Sequence, residues 1–580
     1  MTIAAEANLA TSSESPLLDM PGHNVPDGLQ QKAGKALRPQ VRTGKRYRPG
    51  RAADHYDVVV VGSGIGGLAN AALLSLLGKK VCVLEQHYTA GGFTHAYERE
   101  GYEWDVGVHY IGEVHLEHSP MRRLFDVVSE GRLRWSEMDP VYDRIMVGDD
   151  SVDFVAGRLH FIAELVKKFP QDEAAIRSYV ALVQDVSAKV SRFFAAQAMP
   201  RWMARLYNGL RPWFLRKEYF QSTREVLENL TDNQSLISVL TGQWGDYGQV
   251  PRDSAFLMHA LLVRHYLSGG AYPEGGASSI ARSIIPTIES RGGDVFTYAK
   301  VERVLVRDNC AYGVLMADGS KVTADQVVSN VGLMNTVNHL LPEISRRQHR
   351  THEWTRRVER SSASLCLYAG FQGDAETLGL DTTNLWIYPS GDHEGNLDRF
   401  MADEKAEFPL VYISFPSSKD PQWERRYPGK STVEIVTIST MDHFERWRGS
   451  QWQQRGEGYE EYKEQLSQRL LEVLFKHRPQ LRQALDYYEL SSPLSTQFYQ
   501  QSERGEIYGL GHFVERFQQP FLHPEMPVKN LYLTGVDVMT AGVGGGLMGG
   551  MLTTMRMLGL RHMGKVRSLL KNYKPVVPDQ

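Results

Sequence analysis

Cysteine is scarce in this chain: Cys82, Cys310 and Cys366 lie far apart and form no CxxC pair. That spacing excludes a disulfide framework and a cysteine zinc site, and it fits a reducing compartment. An excess of one charge is lacking too. A formal net charge of −3 leaves no overall positive field to gather phosphates, which argues against a nucleic-acid binder. Met1 to Asp27 contains no apolar h-region, so no secretory signal is expected. The uncharged run Val58 to Gly78 resembles a membrane span, but its glycines mark a buried strand, a tight turn and a helix. No G-x-S-x-G elbow supports a serine hydrolase, and no internal repeat is evident. His109, His115 and His118 match no compact ligand spacing, so no metal is expected.

What remains is a chain of 580 residues, large enough to bury an extensive core in two connected domains. Its punctuation is glycine. Asp57-Val-Val-Val-Val-Gly62-Ser-Gly64-Ile-Gly66-Gly67 reads as strand, turn and helix start. Gly62 permits the turn, Gly64 lets the backbone approach a pyrophosphate, and Gly67 lets helix and strand pack closely. The helix N-terminus offers free N–H groups and its positive dipole end to the phosphates. Glu85, followed by Gln86, closes the next apolar run, where a carboxylate holds a ribose hydroxyl in such sites.

A second element, Leu531-Tyr-Leu-Thr-Gly535-Val-Asp537 leading into Ala541-Gly542, repeats the strand–glycine–acid–helix order near the far end. A nicotinamide enzyme with one fingerprint has no need of it; a large flavoprotein does. FAD is therefore the expected cofactor, with Asp537 accepting hydrogen bonds at the ribityl end and Gly542 opening a helix toward the flavin. The doublet Gly91-Gly92, with Phe93 and Thr94 after it, lets backbone run close beneath a flat ring system. Val301, in a β-rich run from Val295 to Val328 with a hairpin turn at Asp318-Gly319, completes the expected contacts.

Residues 1–54 read as a flexible basic arm, with Lys32, Lys35, Arg38, Arg42, Lys45, Arg46, Arg48 and Arg51 and no acid from Gly28 to Ala53. Such an arm is either a solvated tail or an attractor of anionic lipid. Residues 190–220 interleave Arg192, Arg201, Arg205, Arg211, Arg216 and Lys217 with Phe193, Phe194, Trp202, Leu206, Tyr207, Trp213 and Phe214. That pattern suits an interfacial helix at a membrane surface, against the alternative of a core-packing helix. A final basic helix is expected over Met555 to Tyr573. The expected location is cytoplasmic, with peripheral membrane association.

Several blocks beyond the fingerprint are similar to the all-trans-retinol 13,14-reductase (retinol saturase) family, which groups with carotenoid isomerases and phytoene desaturases among amine-oxidase-like flavoproteins. They include Leu84-Glu-Gln-His87 with Ala90-Gly-Gly92, Gly107-Val-His109-Tyr-Ile-Gly112, Gly245-Asp-Tyr-Gly248, Met258-His-Ala-Leu-Leu-Val263, Phe415-Pro-Ser-Ser-Lys-Asp-Pro421 and Ser492-Pro-Leu-Ser-Thr-Gln-Phe-Tyr499. The resemblance implies an α/β fold: a Rossmann-type FAD domain assembled from 55–115, 272–337 and 520–570, with an inserted α+β substrate domain from 116–271 and 338–519, and a tail at 571–580. Arg504-Gly505 with Tyr508-Gly509 resembles the stretch that returns the substrate domain to the flavin. Amine oxidases commonly flank the glycine doublet with arginines. Here it reads Thr89-Ala-Gly-Gly-Phe93, which lowers the expectation of amine oxidation.

The resemblance also implies redox chemistry or isomerisation at carbon–carbon double bonds of a long apolar lipid or polyene. A saturase needs electrons from NAD(P)H or a protein donor, and no second complete dinucleotide fingerprint is present. A desaturase, a redox-neutral isomerase or a flavin-binding membrane assembly protein without turnover would carry the same flavin motifs. Candidate proton donors are Tyr247, His259, His265, Tyr266 and Tyr508, each of which could equally be a hydrogen-bonded core residue.

Overall fold

An uninterrupted apolar strand must be covered on both faces, and Val58 to Val61 are all buried. In the computed structural model, which describes residues 41–573, they belong to His55–Val61, a central strand of an eight-stranded sheet. The order is Lys45–Arg46, Asp294–Thr297, Val81–Leu84, His55–Val61, Lys321–Ser329, Cys310–Met316 and Val301–Arg307, with Leu531–Leu533 also pairing with Lys321–Ser329. Pairing is parallel from Lys45–Arg46 across to Lys321–Ser329 and onto Leu531–Leu533. The two remaining strands close the sheet antiparallel. Parallel neighbours need crossovers, so strands from distant stretches of chain meet in one layer.

The helix Ile65–Leu76 starts immediately after Gly64, and Ser278–Glu289 and Gly542–Leu558 join it in one apolar core. Ile280, Ile284 and Ile288, spaced by four, are completely buried in it. The apparent membrane span is thus a strand and a covered helix. Among the described residues no helix is long and apolar enough to cross a membrane.

A second, seven-stranded sheet runs Leu485–Ser491, Ala363–Gln372, Lys430–Ser439, Val411–Ser414, Asn384–Tyr388, Val141–Val147 and Asp150–Val155. Its last two strands come from the first half of the chain and the rest from the second. Helices Glu173–Ala188 and Phe256–Tyr266 share a core with its Val141–Val147 and Asn384–Tyr388 end.

Three expectations change. The arm is docked where it is described: Lys45–Arg46 is an edge strand, and Thr43 is buried, its Oγ1 donating to the carbonyl of Ala90 at 3.0 Å. Several of its cations are spent on the protein, Lys45 on Glu289 and Asp294, Arg42 over the Tyr88 ring and Arg46 over the Tyr298 ring. Lys32, Lys35 and Arg38 lie outside the described residues. The last helix is two, Gly542–Leu558 and Gly564–Asn572, because Gly559 takes a positive φ of 72° between them.

Residues 190–220 are not one amphipathic helix. Phe193 and Phe194 are core, while Arg211 is buried and bonds the carbonyls of Phe193 and Phe517. Arg216 pairs with Asp185 and Glu218. The helix Arg201–Phe214 nonetheless leaves Trp202, Leu206, Leu210 and Trp213 exposed at spacings of four, four and three, which is one face.

Candidate active site

A cavity of about 1130 Å³ is lined from both sheets. That exceeds the roughly 300–1,000 Å³ of ordinary small-molecule pockets, leaving room for a dinucleotide and a second ligand. At one end its wall is the first glycine fingerprint. Gly62 turns with φ of 93°, and a Cβ on Gly67 would sit 2.4 Å from the Gly62 carbonyl oxygen. A Cβ on Gly64 would meet the Asn330 side chain at 2.8 Å, so this glycine serves packing as well as approach. Gly66 faces the distal fingerprint, 2.6 Å from the Cα of Gly535 by the same measure. Only glycine lets these segments close, which is why both fingerprints are needed.

The two acids brace this cradle. Glu85 accepts from the Ser63 N–H and hydroxyl at 2.8 and 2.7 Å and from the His87 N–H at 2.8 Å. Asp537 accepts from the N–H groups of Leu333 at 2.6 Å and Leu510 at 3.1 Å, pinning two other segments against the distal strand. Both carboxylates line the cavity, as do Gln86, Gly91, Gly92, Phe93, Thr94, Val301, Ala541 and Gly542. Gly67 lies behind the wall. The Ala541 N–H is already taken by His512 Nε2 at 2.8 Å, so the helix presents its free N–H groups from Gly542 onward. A Cβ on Gly542 would meet nothing within 4 Å, and the buried Thr534 Oγ1 on the same wall has no partner among the described residues. Two helix N-termini, bare glycine backbone, two acids and an orphan hydroxyl fit a flavin adenine dinucleotide.

Beyond the cradle the wall becomes apolar and aromatic, with Met121, Met258, Leu261, Leu262, Val543 and Met548. Of the five candidate donors, His265, Tyr266 and Tyr508 line the cavity and two do not. Tyr247 and His259 are buried in the helical core: the Tyr247 hydroxyl lies 3.3 Å from His259 Nδ1, and the Tyr179 hydroxyl 2.7 Å from His259 Nε2. Burial holds His259 down at about 3, and with both ring nitrogens taken by tyrosines and no face on the cavity it is a neutral bridge in the core. The remaining three are committed. The Tyr266 hydroxyl donates to the Tyr110 carbonyl at 3.4 Å, the Tyr508 hydroxyl to the Gly245 carbonyl at 3.0 Å, and His265 Nε2 accepts the Gly112 N–H at 2.8 Å.

The cavity lining also includes polar groups absent from the candidate set. His109 lines the cavity, and its Nδ1 is 2.8 Å from Glu434 Oε2 in the second sheet. Burial holds His109 at about 3, with the nearby Lys419 charge adding to the effect, and raises the completely buried Glu434 to about 8. Lys419 is buried as well, and desolvation lowers it to about 7. Its Nζ donates to the His109 carbonyl, Asn384 Oδ1 and Ser414 Oγ. Asp246 also lines the cavity. Its Oδ2 is buried without a partner among the described residues, and burial raises its carboxyl well above the usual range. Asn330, between the two fingerprints, was likewise unforeseen. An isolated glutamate inside the apolar run Val433-Glu434-Ile435 was the one legible signal, since a lone charge on a covered strand needs a reason.

Comparison with known proteins agrees with this geometry. The model of the flavin-containing amine oxidoreductase family matches residues 65–558. The all-trans-retinol 13,14-reductase of Danio rerio is 36 % identical over 522 residues, spanning 86 % of this chain and 85 % of the relative. The enzyme of that name from Macaca fascicularis is 38 % identical over 531 residues, 88 % of this chain and 87 % of its own. Among solved structures, putrescine oxidase bound to putrescine superposes with a TM-score of 0.58 at 14 % identity, covering 87 % of this chain and 99 % of that one, which speaks to fold alone.

Proposed function

Because the chain belongs to the flavin-containing amine oxidoreductases, in the family of the all-trans-retinol 13,14-reductases, we propose that it is an FAD-dependent saturase of a conjugated polyene lipid. The observation that carries the substrate class is the continuity of one cavity from the glycine cradle into an apolar, methionine- and leucine-rich chamber. FAD, when bound, supplies hydride from its reduced form to one alkene carbon while a proton adds to the neighbouring carbon. Conjugation spreads the charge that develops between those events, which an isolated alkene cannot do.

This chain's own residues bind, orient and exclude water. Glu85 and Asp537 brace the cradle, and the N–H groups at the Gly542 helix end would hold the electron-rich edge of a bound flavin. The stacked Tyr110 and Tyr266 rings, 4.2 Å apart, give a flat wall on which an extended polyene can lie. Leu261, Leu262 and Met258 keep that chamber dry. The electron donor is external, and NAD(P)H is the class to test first.

Delivery takes place at a lipid surface. The exposed face Trp202, Leu206, Leu210 and Trp213 lies close in sequence to Gln184, Ser187, Ala188 and Val190, which line the cavity. Tryptophan at headgroup depth, with Arg205 and Lys217 exposed nearby, suits peripheral contact with anionic lipid.

The test is anaerobic. Reduced holoenzyme is mixed with all-trans polyenes, flavin absorbance is followed, and products are weighed by mass. Reoxidation with a gain of two hydrogens is the expected result. A shifted isomer at constant mass, or bleaching of the oxidised flavin by the lipid, would replace the saturase reading with an isomerase or a desaturase.

A further inference from the structure

Glu434 is a carboxyl with no access to water. It sits in Lys430–Ser439, its Oε1 accepts the Asp105 N–H at 2.7 Å, and its Oε2 meets His109 Nδ1 at 2.8 Å. The cluster around it is built, not accidental: Lys419 holds the carbonyl of His109 and ties it to Asn384 and Ser414. The titratable groups facing Glu434 are His109, Lys419, Asp105, Tyr272, Cys366 and Tyr368. His109 spans from this cluster to the cavity. Its side chain is 18 % exposed, and its Nε2 has no hydrogen-bond partner among the described residues.

We propose that Glu434 and His109 form a proton relay into the cavity, in which His109 Nε2 protonates the substrate carbon adjacent to the one that receives hydride. This rests on the polyene reduction proposed above. Near neutral pH neither partner is charged, since burial raises Glu434 to about 8 and keeps His109 near 3. With Glu434 Oε1 accepting the Asp105 N–H, the sense that makes a relay has Glu434 Oε2–H donating to Nδ1 and the His109 proton on Nε2, on the side of the ring away from Glu434.

The step balances without an imidazolium. Reduced FAD, when bound, would supply hydride to one alkene carbon, which would leave an electron pair on the conjugated neighbour. That pair takes the proton from Nε2 as the N–H bond breaks, and the Glu434 proton passes to Nδ1. His109 ends neutral as the other tautomer, and Glu434 ends as a carboxylate beside Lys419 and the Asp105 N–H. Bulk solvent then returns one proton to Nε2 while the Nδ1 proton passes back to the Glu434 carboxylate, so the relay resets with net uptake of one proton per turnover. The Tyr266 and Tyr508 hydroxyls donate to backbone carbonyls, and His265, whose Nε2 accepts the Gly112 N–H, has a backbone amide rather than an acid behind its ring to resupply a proton. Asp246 is the competing carboxyl on the cavity wall.

The variants are Glu434→Gln, which keeps shape and a hydrogen bond to Nδ1 but holds no transferable proton, and His109→Gln. Infrared difference spectra of the holoenzyme between pH 6 and 9 should show a protonated-carboxyl band lost with a midpoint near 8, absent in Glu434→Gln and displaced in His109→Gln. Single-turnover oxidation of the reduced flavin by polyene should slow about 100-fold or more in each variant. It should also lose its decline above pH 8, with flavin content unchanged. Wild-type protein without that carboxyl band, or a Glu434→Gln enzyme with wild-type rate and pH profile, overturns the relay. If polyenes fail to oxidise reduced wild-type flavin, the saturase reading falls. A carboxyl band still present there confines the fault to the substrate.

Discussion

Gly66 and Gly535 touch across the core: a Cβ on the first would lie 2.6 Å from the Cα of the second. The contact is reinforced by a Cβ distance of 2.5 Å from Gly550 to the Gly66 carbonyl oxygen and 2.4 Å from Gly549 to that of Gly535. The helices Ile65–Leu76 and Gly542–Leu558 therefore meet backbone to backbone, and their N-termini converge on one cavity wall. Gly66→Ala should cost about 1–3 kcal/mol by overpacking and lower flavin retention. Gly209, in the exposed helix with nothing near its Cβ, is the control: Gly209→Ala should stabilise by about 0.5–1 kcal/mol. Thermal melts and flavin-to-protein ratios of the two variants check this; equal effects would mean that the glycine contact is dispensable.

Asp537 accepts from two backbone donors that have no alternative once it is removed. Asp537→Ala should lose about 1–3 kcal/mol for each stranded N–H, and FAD with it. Asp537→Asn, which keeps one acceptor oxygen, should lie between. Full flavin occupancy in Asp537→Ala would remove this residue from the cofactor site.

Lipid attachment should follow the apolar face rather than the arginines. Trp202→Ser, Leu206→Ser and Trp213→Ser together should abolish sedimentation with phosphatidylserine-containing vesicles while sparing flavin content, because those side chains are exposed. Arg211→Gln, by contrast, should damage the fold, since Arg211 caps buried carbonyls. Undiminished sedimentation of the triple variant would assign that face to another partner.

Stability should depend on pH through Glu434. Its folded carboxyl keeps its proton to about 8 against an ordinary 4.5, so the folded state binds the proton more tightly. That contribution is complete below about 4.5 and is lost as pH rises toward 8, by roughly a few kcal/mol. Lys419 acts in the opposite sense, with a penalty below about 7 that fades toward 10.5. The melting temperature of Glu434→Gln relative to wild type should therefore climb between pH 5 and 8. A flat difference would show that Glu434 is ionised throughout.

Much of the cofactor end was legible in the sequence, because a dinucleotide cradle is local chemistry. A turn at Gly62, a helix start after Gly64 and an acid closing the next strand are properties of short segments, readable from spacing. The hairpin at Asp318-Gly319 and the buried stripe Ile280, Ile284 and Ile288 are of the same kind. Tyr247 and His259 failed as donors for the opposite reason: their neighbours in sequence say nothing of Tyr179, whose hydroxyl claims the histidine.

The amino-acid order by itself determined the strands, the glycine turns, the two fingerprints and the aromatic-basic stretch, since each rests on periodicity or backbone sterics within a few residues. Tertiary structure alone decided that Gly66 meets Gly535, that Arg211 turns inward while Trp213 turns out, and that His109 finds Glu434. Those outcomes depend on desolvation and packing between segments distant in the chain, and a burial cost that shifts a carboxyl to about 8 exists only once the sheet has closed over it.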